Sequence, residues 1–384
     1  MWRGADIWLP AYLRHPKRKN FTNPTHVMIA VCDHFEPFHH TDKSNAIRRV
    51  QDWQSRFPKI CNHFRDQDGQ APRHTFFYPI EQYDADILEA IAQLCRQTGS
   101  EVEIHLHHDN DTEENMRETI QTGIRDFSAH KLLSRDQNQI PSYAFIHGNW
   151  ALDNSAPNGR NCGINRELQL LKETGCYGDF TMPSAPHPTQ TQTINQIYYG
   201  IETESAKSHN TGYPATAPAA DNVANRNETR PTTNFRDRPD HLLLVQGPLG
   251  LNWKRRKWGF LPRLENADLT GKNPPTPDRL HIWLRNAIHV RNRPDWIFIK
   301  LHCHGAINPN REALLGKRMR DFHQHLANLA GNNSPFQFHY VSAREMVNIV
   351  HAAEDGQSGN PNNFRDYLIK SNIPFKNRDT AGAL

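Results

Sequence analysis

Apolar and polar positions alternate with a period of two in three widely separated stretches of the chain. In residues 101–111, Glu-Val-Glu-Ile-His-Leu-His-His-Asp-Asn-Asp, the side chains of Val102, Ile104 and Leu106 fall on one face of a strand. Glu101, Glu103, His105 and His107 fall on the other. A strand this polar on one side does not border an ordinary apolar core. Residues 295–304 alternate Ile297, Ile299 and Leu301 against Phe298, Lys300 and His302 and finish in Cys303 and His304, while residues 26–36 finish in Asp33, His34 and Glu36. If the three strands are parallel, their carboxyl ends share one rim, which is where βα-repeat folds build their sites.

The intervening segments have the helical period. Ile47, Val50, Trp53, Phe57, Ile60 and Phe64 recur at spacings of three and four, and so do Ile87, Ile91 and Leu94 before Gly99. Thr112 is placed to cap a helix carrying Met116, Ile120, Ile124 and Phe127, and a strand follows at 143–149. A helix near 165–175 stops at Gly175 before the run from Cys176 to Met182, Thr276-Pro277 opens another, and Ser342 with Glu345 forms a capping box for the last. Strand and helix alternating about eight times predict a distorted or incomplete β/α barrel, with a doubly wound open sheet as the alternative. No Pro/Gly/Ser-rich linker divides the chain, so residues 1–384 are expected to form one domain. Residues 203–240, rich in Thr, Asn, Ala, Pro and Arg, predict an irregular insertion. It reads either as a lid that brings Lys207, Ser208, His209 and Asn210 to the cleft or as a solvated excursion.

The net charge of +4, with acids nearly balancing bases, gives no global field for nucleic acid. Trp253-Lys254-Arg255-Arg256-Lys257-Trp258 is a local exception, four cations between two indoles. It suits peripheral contact with a membrane or an anionic ligand, and equally a solvated loop. No apolar stretch is long enough to span a bilayer, and the amino terminus lacks the continuous apolar core of a signal peptide, so a soluble, cytoplasmic protein is expected. The six cysteines contain no C-x-x-C pair, and free thiols are expected. Cys32 and Cys303, beside the strand ends, are either soft ligands or nucleophiles, or small buried packing residues.

His107 and Asp111, four apart across a turn, could close around one cation with a nitrogen and an oxygen donor, the mixture that zinc accepts. A half-exposed strand followed by a polar loop is the plainer reading. The segment from Glu103 through His107 to Asp111 resembles the second motif of the polysaccharide deacetylase superfamily, in which Glu-Ile precedes a His-x-x-x-His metal pair. Aligned so, His107 takes the first ligand position and Asp111 stands in for the second histidine. The stretch ending at Asp33 resembles the first motif, which supplies the third ligand and a nearby general base, and Leu301-His302 resembles the last, whose histidine is the general acid.

The resemblance spans residues 26–304 and departs from the family in two places. Asp33 is followed by His34, Phe35 and Glu36 rather than by a second aspartate, which leaves Glu36 as the choice of base. The arginine of the third motif is missing from Tyr143–Trp150, where His147 and Asn149 stand instead. The implied architecture is a deacetylase-type (β/α) barrel with a long insertion, and the implied cofactor is one divalent ion, zinc first. The implied reaction is removal of an N-acetyl group from a sugar of a polysaccharide or its precursor. Asp33, His107 and Asp111 would hold the metal, Glu36 and His302 would move protons, and His147, Asn149, Trp150, Asp179 and His304 would meet the substrate. For Trp150 a place in the core is the competing role, and His304 is the alternative acid. Two other readings remain open. One is a different His-x-His metallohydrolase of the amidohydrolase or phosphoesterase type, using His105 and His107, and the other is a carbohydrate-binding descendant without turnover.

Overall fold

The computed structural model describes residues 4–219, 235–331 and 334–374. Its strands, in chain order, are β1 (Thr25–His34), β2 (Thr75–Pro79), β3 (Glu101–Leu106), β4 (Ser134–Arg135), β5 (Pro141–His147), β6 (Cys176–Asp179), β7 (Ile197–Ile201), β8 (Gly212–Pro214) and β9 (His241–Val245). They continue with β10 (Gly250–Lys257), β11 (Leu261–Glu265), β12 (Asp268–Leu269), β13 (Trp296–Cys303) and β14 (Phe336–Tyr340). The α-helices are α1 (Ala5–Arg14), α2 (Lys43–His63), α3 (Ala85–Thr98), α4 (Glu113–Ala129), α5 (Glu167–Glu173), α6 (Pro277–Asn286), α7 (Asn308–Leu315), α8 (Lys317–Leu329) and α9 (Ala343–Glu354).

Local chemistry starts and stops these helices. Asp42, Asp84, Thr112 and Thr276 each accept a backbone N–H in the first turn of their helices, and Ser342 with Glu345 makes the reciprocal capping box of α9. Gly99 ends α3 at φ 73°. The strand order in the main sheet is β12-β13-β1-β2-β3-β5-β6-β9-β7-β8, with β14 also paired to β1 and β4 to β5. From β12 to β9 the pairs are parallel, and β7 is antiparallel to both β8 and β9. The order advances without the reversal of a doubly wound sheet. It also does not close: among the described residues β8 and β12 remain two separate edges. Of the distorted or incomplete barrel expected from strand-helix alternation, the described residues form an open, mostly parallel sheet.

What covers the inner face accounts for the difference. Met28, Ala30 and Cys32 of β1, Phe77 of β2, Ala144 and Ile146 of β5, and Trp296 and Phe298 of β13 form one buried cluster with Met346, Val347, Ile349 and Val350 of α9. A closed barrel fills this space with strand side chains alone. Here α9, buried from Ala343 to Ala353, fills it. The opposite parity, Val27, Ile29, Val102, Ile104, Ile297 and Ile299, packs outward with residues of α2 and α3.

Of the irregular insertion at 203–240, residues 220–234 lie outside the described residues. The remainder is more regular than its composition suggests. β8 pairs with β7, and His209 is fully buried. The backbone N–H groups of Lys207 and Ser208 are both bonded to Asp153.

At the amino end of the sheet Arg344 is fully enclosed. Its guanidinium reaches Glu101 Oε1 at 2.7 Å, Asp366 Oδ1 at 2.6 Å and the carbonyl of Ile369 at 2.8 Å. A cavity of about 510 Å³ opens beside it, but the arginines around it, Arg73, Arg344 and Arg365, are already paired with Glu345 or Glu101. Arg344→Ala strands Glu101 in the interior. Breaking a buried pair in this way costs about 3–5 kcal/mol, and a comparable loss is expected in denaturant unfolding of the variant.

Candidate metal centre

Strand parity decides which ionisable groups enter the inner face at its carboxyl half. His34 follows Met28, Ala30 and Cys32 inward, His105 follows Glu101 and Glu103, and His302 follows Lys300. The result is a buried polar layer. Glu103 accepts from the Ala144 N–H at 2.6 Å and from the Tyr177 hydroxyl, and burial pushes its carboxyl up to about 8. Lys300 donates to the Met182 carbonyl at 3.2 Å, and burial lowers it to about 8. Burial likewise raises Asp179 to about 6 while it accepts the N–H and hydroxyl of Thr181. Thr181 in turn receives the backbone N–H of His147, so Asp179 positions the end of β5.

Above this layer Glu36, His105 and His107 converge, with one ligand atom from each within 4.8 Å of the others. His105 Nδ1 lies 2.7 Å from the Ile146 carbonyl, which can only accept, so that nitrogen carries a proton and Nε2 is left to take a cation or a second proton. His107 Nδ1 is held by Glu81 Oε1 at 2.7 Å. Both Nε2 atoms aim at one oxygen, Glu36 Oε1, at 3.3 and 3.1 Å. This is the carboxylate-oriented imidazole arrangement of metal sites, with two nitrogens and an oxygen of the kind zinc and its neighbours accept. Gly148 is required beside it, because a Cβ there would collide with the His107 ring and the Leu106 carbonyl.

The electrostatics agree. Burial would raise Glu36, yet hydrogen bonds from His105 and His107 hold it well below the usual carboxylate range. Burial would lower His107, but Glu36 and Glu81 bring it up to about 9. His34 lies beside the cluster, 5.0 Å from the His105 ring and stacked at 4.7 Å on His304. His304 is half-buried, and burial lowers its pKa. His302 is set deeper. Burial and then Lys300 push it well below the ordinary histidine value.

The expected ligands Asp33, His107 and Asp111 do not come together; among the described residues they fall in different places. Asp33 has the parity of Val27, Ile29 and Val31, which points it outward toward α2. There it binds His74 Nε2 at 2.8 Å and the Gly305 N–H at 2.6 Å, and a Cβ on Gly305 would strike it. Asp111 instead faces His108, three residues before it, at 3.1 Å. His108 and His147 belong to a second cluster with Cys162 and Glu167. Asn149 is exposed and Trp150 half-buried, both at positive φ in the turn after β5, with the Trp150 ring 5.8 Å from His187. His105 was legible only as half of the alternative His-x-His pair. Glu81, His108, Cys162 and Glu167 carried no motif signal, although the inward parity of His34 with Cys32 was available.

No family model matches the chain, and no curated protein matches it. Among solved structures it is similar to one described as "putative polysaccharide deacetylase from Mycobacterium smegmatis", at 12% identity and a TM-score of 0.43, covering 90% of this chain and 96% of that one. The functional reading accordingly rests on this chain's own residues.

The raised pKa of His107 sets a pH window. A histidine whose folded pKa lies above its unfolded value of about 6.5 adds stability that is complete below that pH and disappears as pH rises through the folded value. For His107 that folded value is about 9. Glu81→Gln should therefore destabilise the metal-free protein at pH 6, with the difference from wild type shrinking toward pH 9 and gone above it. Urea unfolding of both proteins across that range is the measurement.

Proposed function

We propose that the chain is a metal-dependent hydrolase whose ion is held by Glu36, His105 and His107 and whose substrate is an N-acylated sugar. The observation that carries the reading is the convergence of two imidazole Nε2 atoms on one Glu36 oxygen, 3.3 and 3.1 Å away. Three protein donors with one of them half-exposed suit a catalytic site, which keeps a position for water or substrate. When bound, such an ion lowers the pKa of water toward ~7 and polarises an acyl carbonyl, which an amide requires because its carbonyl is a poor electrophile. The substrate class comes from the resemblance of the strand-end segments to deacetylase motifs.

Within this reading Glu36 is a ligand rather than the base. Oε1 faces His105 and His107, Oε2 faces His39 at 3.3 Å, and a carboxylate held this far below its usual range is a poor proton acceptor. The proton falls to an imidazole nitrogen of His304. It is neutral near pH 7, sits at the open side beside His34, and can pass the proton to the departing amine. His302, deeper and beside Lys300, is a weaker choice than its motif position implied. His147 and Asp179 are buried at the ends of β5 and β6, which leaves Asn149 and Trp150 as the residues of this turn that meet a sugar. A two-metal phosphoesterase centre is less well supported. It needs ions ~3.5–4 Å apart, normally bridged, and the two clusters share no residue.

His304→Ala should keep its metal and lose ~10²–10⁴-fold in turnover, the usual size of general acid–base assistance. His302→Ala should lose less. Acetate release from N-acetylated oligosaccharides by zinc-loaded protein is the readout. A wild type that binds these glycans but releases no acetate would establish the carbohydrate-binding alternative.

The cationic segment forms the β10–β11 hairpin, with Trp253, Trp258 and Phe260 at 55%, 70% and 64% exposure. Lys257 lies 4.3 Å over the Trp258 ring. Exposed aromatic rings and cations along one hairpin suit the headgroup layer of an anionic membrane. Among the described residues no helix is long and apolar enough to cross one. Trp253→Ala/Trp258→Ala should reduce sedimentation with phosphatidylserine-containing vesicles and leave zinc content unchanged; equal sedimentation of wild type and variant would remove the membrane proposal.

A further inference from the structure

A second cluster lies one residue along the chain from the first. We infer that His108, His147, Cys162 and Glu167 form a closed, structural site for a zinc-like divalent cation, separate from the open centre at Glu36. One ligand atom from each residue lies within 4.8 Å of the others. His147 Nδ1 donates to the Gly148 carbonyl at 2.6 Å, so its Nε2 presents a lone pair, and it faces Glu167 Oε1 at 3.4 Å. His108 Nε2 faces the same oxygen at 3.4 Å while its Nδ1 lies against Asp111 Oδ2. His147 and Glu167 are fully buried, and neither His147 Nε2 nor Glu167 Oε1 has a hydrogen-bond partner. Unpaired lone pairs facing one another out of water are costly, and a cation between them removes the cost.

The fourth donor completes the set. Cys162 Sγ lies 3.4 Å from Glu167 Oε2 and receives the backbone N–H groups of Asn154 and Ile164 at 3.3 and 3.4 Å, dipoles oriented to favour a thiolate. A coordinated thiol loses its proton outright. A thiolate and a carboxylate balance a divalent ion, and two neutral imidazoles finish a tetrahedral set, so the assembly can be buried without net charge. Four buried donors mark a structural site, as three donors and an open position mark a catalytic one. The ion would join the loop after β3, the turn after β5 and the start of α5. Because His108 follows His107 directly, it would also fix the backbone that presents a ligand to the open centre.

The test counts ions in the full chain, stripped with chelator and reloaded with zinc. Two ions per chain are expected in wild type, with one remaining in His107→Ala and one in Cys162→Ser or in the isosteric Glu167→Gln. Cobalt loading reports the sulfur directly. A thiolate-to-cobalt charge-transfer band should appear in wild type, His107→Ala and Cys303→Ser and vanish in Cys162→Ser. A cobalt-loaded wild type with no such band, or a band lost in Cys303→Ser instead, overturns the site whether or not any variant folds. His107→Ala without zinc overturns it as well. Absence of acetate release with two ions still bound would count against the deacetylase reading alone.

Discussion

Imidazole nitrogens aimed at a single carboxylate oxygen need a cation or a proton between them, and the described residues build that arrangement twice. In each case a backbone carbonyl holds the Nδ1 proton of one histidine, Ile146 for His105 and Gly148 for His147. The tautomer is thereby set by the fold rather than by solvent. The two carbonyls lie two residues apart at the end of β5, so that one strand end orients a histidine in each cluster. A displacement of β5 would disturb both. The bonds from Asp179 through Thr181 to the His147 N–H resist such a displacement.

The open sheet and the polar layer are connected. With α9 filling the amino half of the inner face, the carboxyl half is left to Lys300, Glu103, His302, His34 and His105. Burial raises the carboxyl of Glu103 and lowers Lys300, so charge is reduced in the layer beneath the candidate metal centre. The water-excluded surroundings that result strengthen every electrostatic interaction at the rim.

Neighbouring residues are divided between tasks. His107 turns to Glu36 and His108 to Glu167, which the pleat alone does not dictate because both lie beyond the last residue of β3. Asp33, expected as a metal ligand, instead ties β1 to His74 and to the Gly305 backbone, while Trp53 of α2 bonds the Gly305 carbonyl at 3.0 Å. It braces the loop that follows His304. The second carboxylate of that segment, Glu36, sits at the cluster because the chain has left the strand by then and is no longer bound by its parity.

The amino-acid sequence by itself determined the elements and their faces, because periods of two and of 3.6 are local properties that burial then enforces. The caps at Thr112, Thr276 and Ser342, and strands ending in ionisable groups on a common rim, were legible for the same reason. The His-x-His spacing of His105 and His107 was legible as well, although His107 lies one residue past the end of β3 and its direction was not. Tertiary structure decided the rest. Whether the sheet closes depends on α9, more than 300 residues from β1, and no local pattern records that packing. Which carboxylate meets the histidines depends on parity at Asp33 and on a turn at Glu36. Cys162 and Glu167 reach His108 and His147 only through loops, where no periodicity constrains direction, so the second cluster exists in the fold and not in any motif.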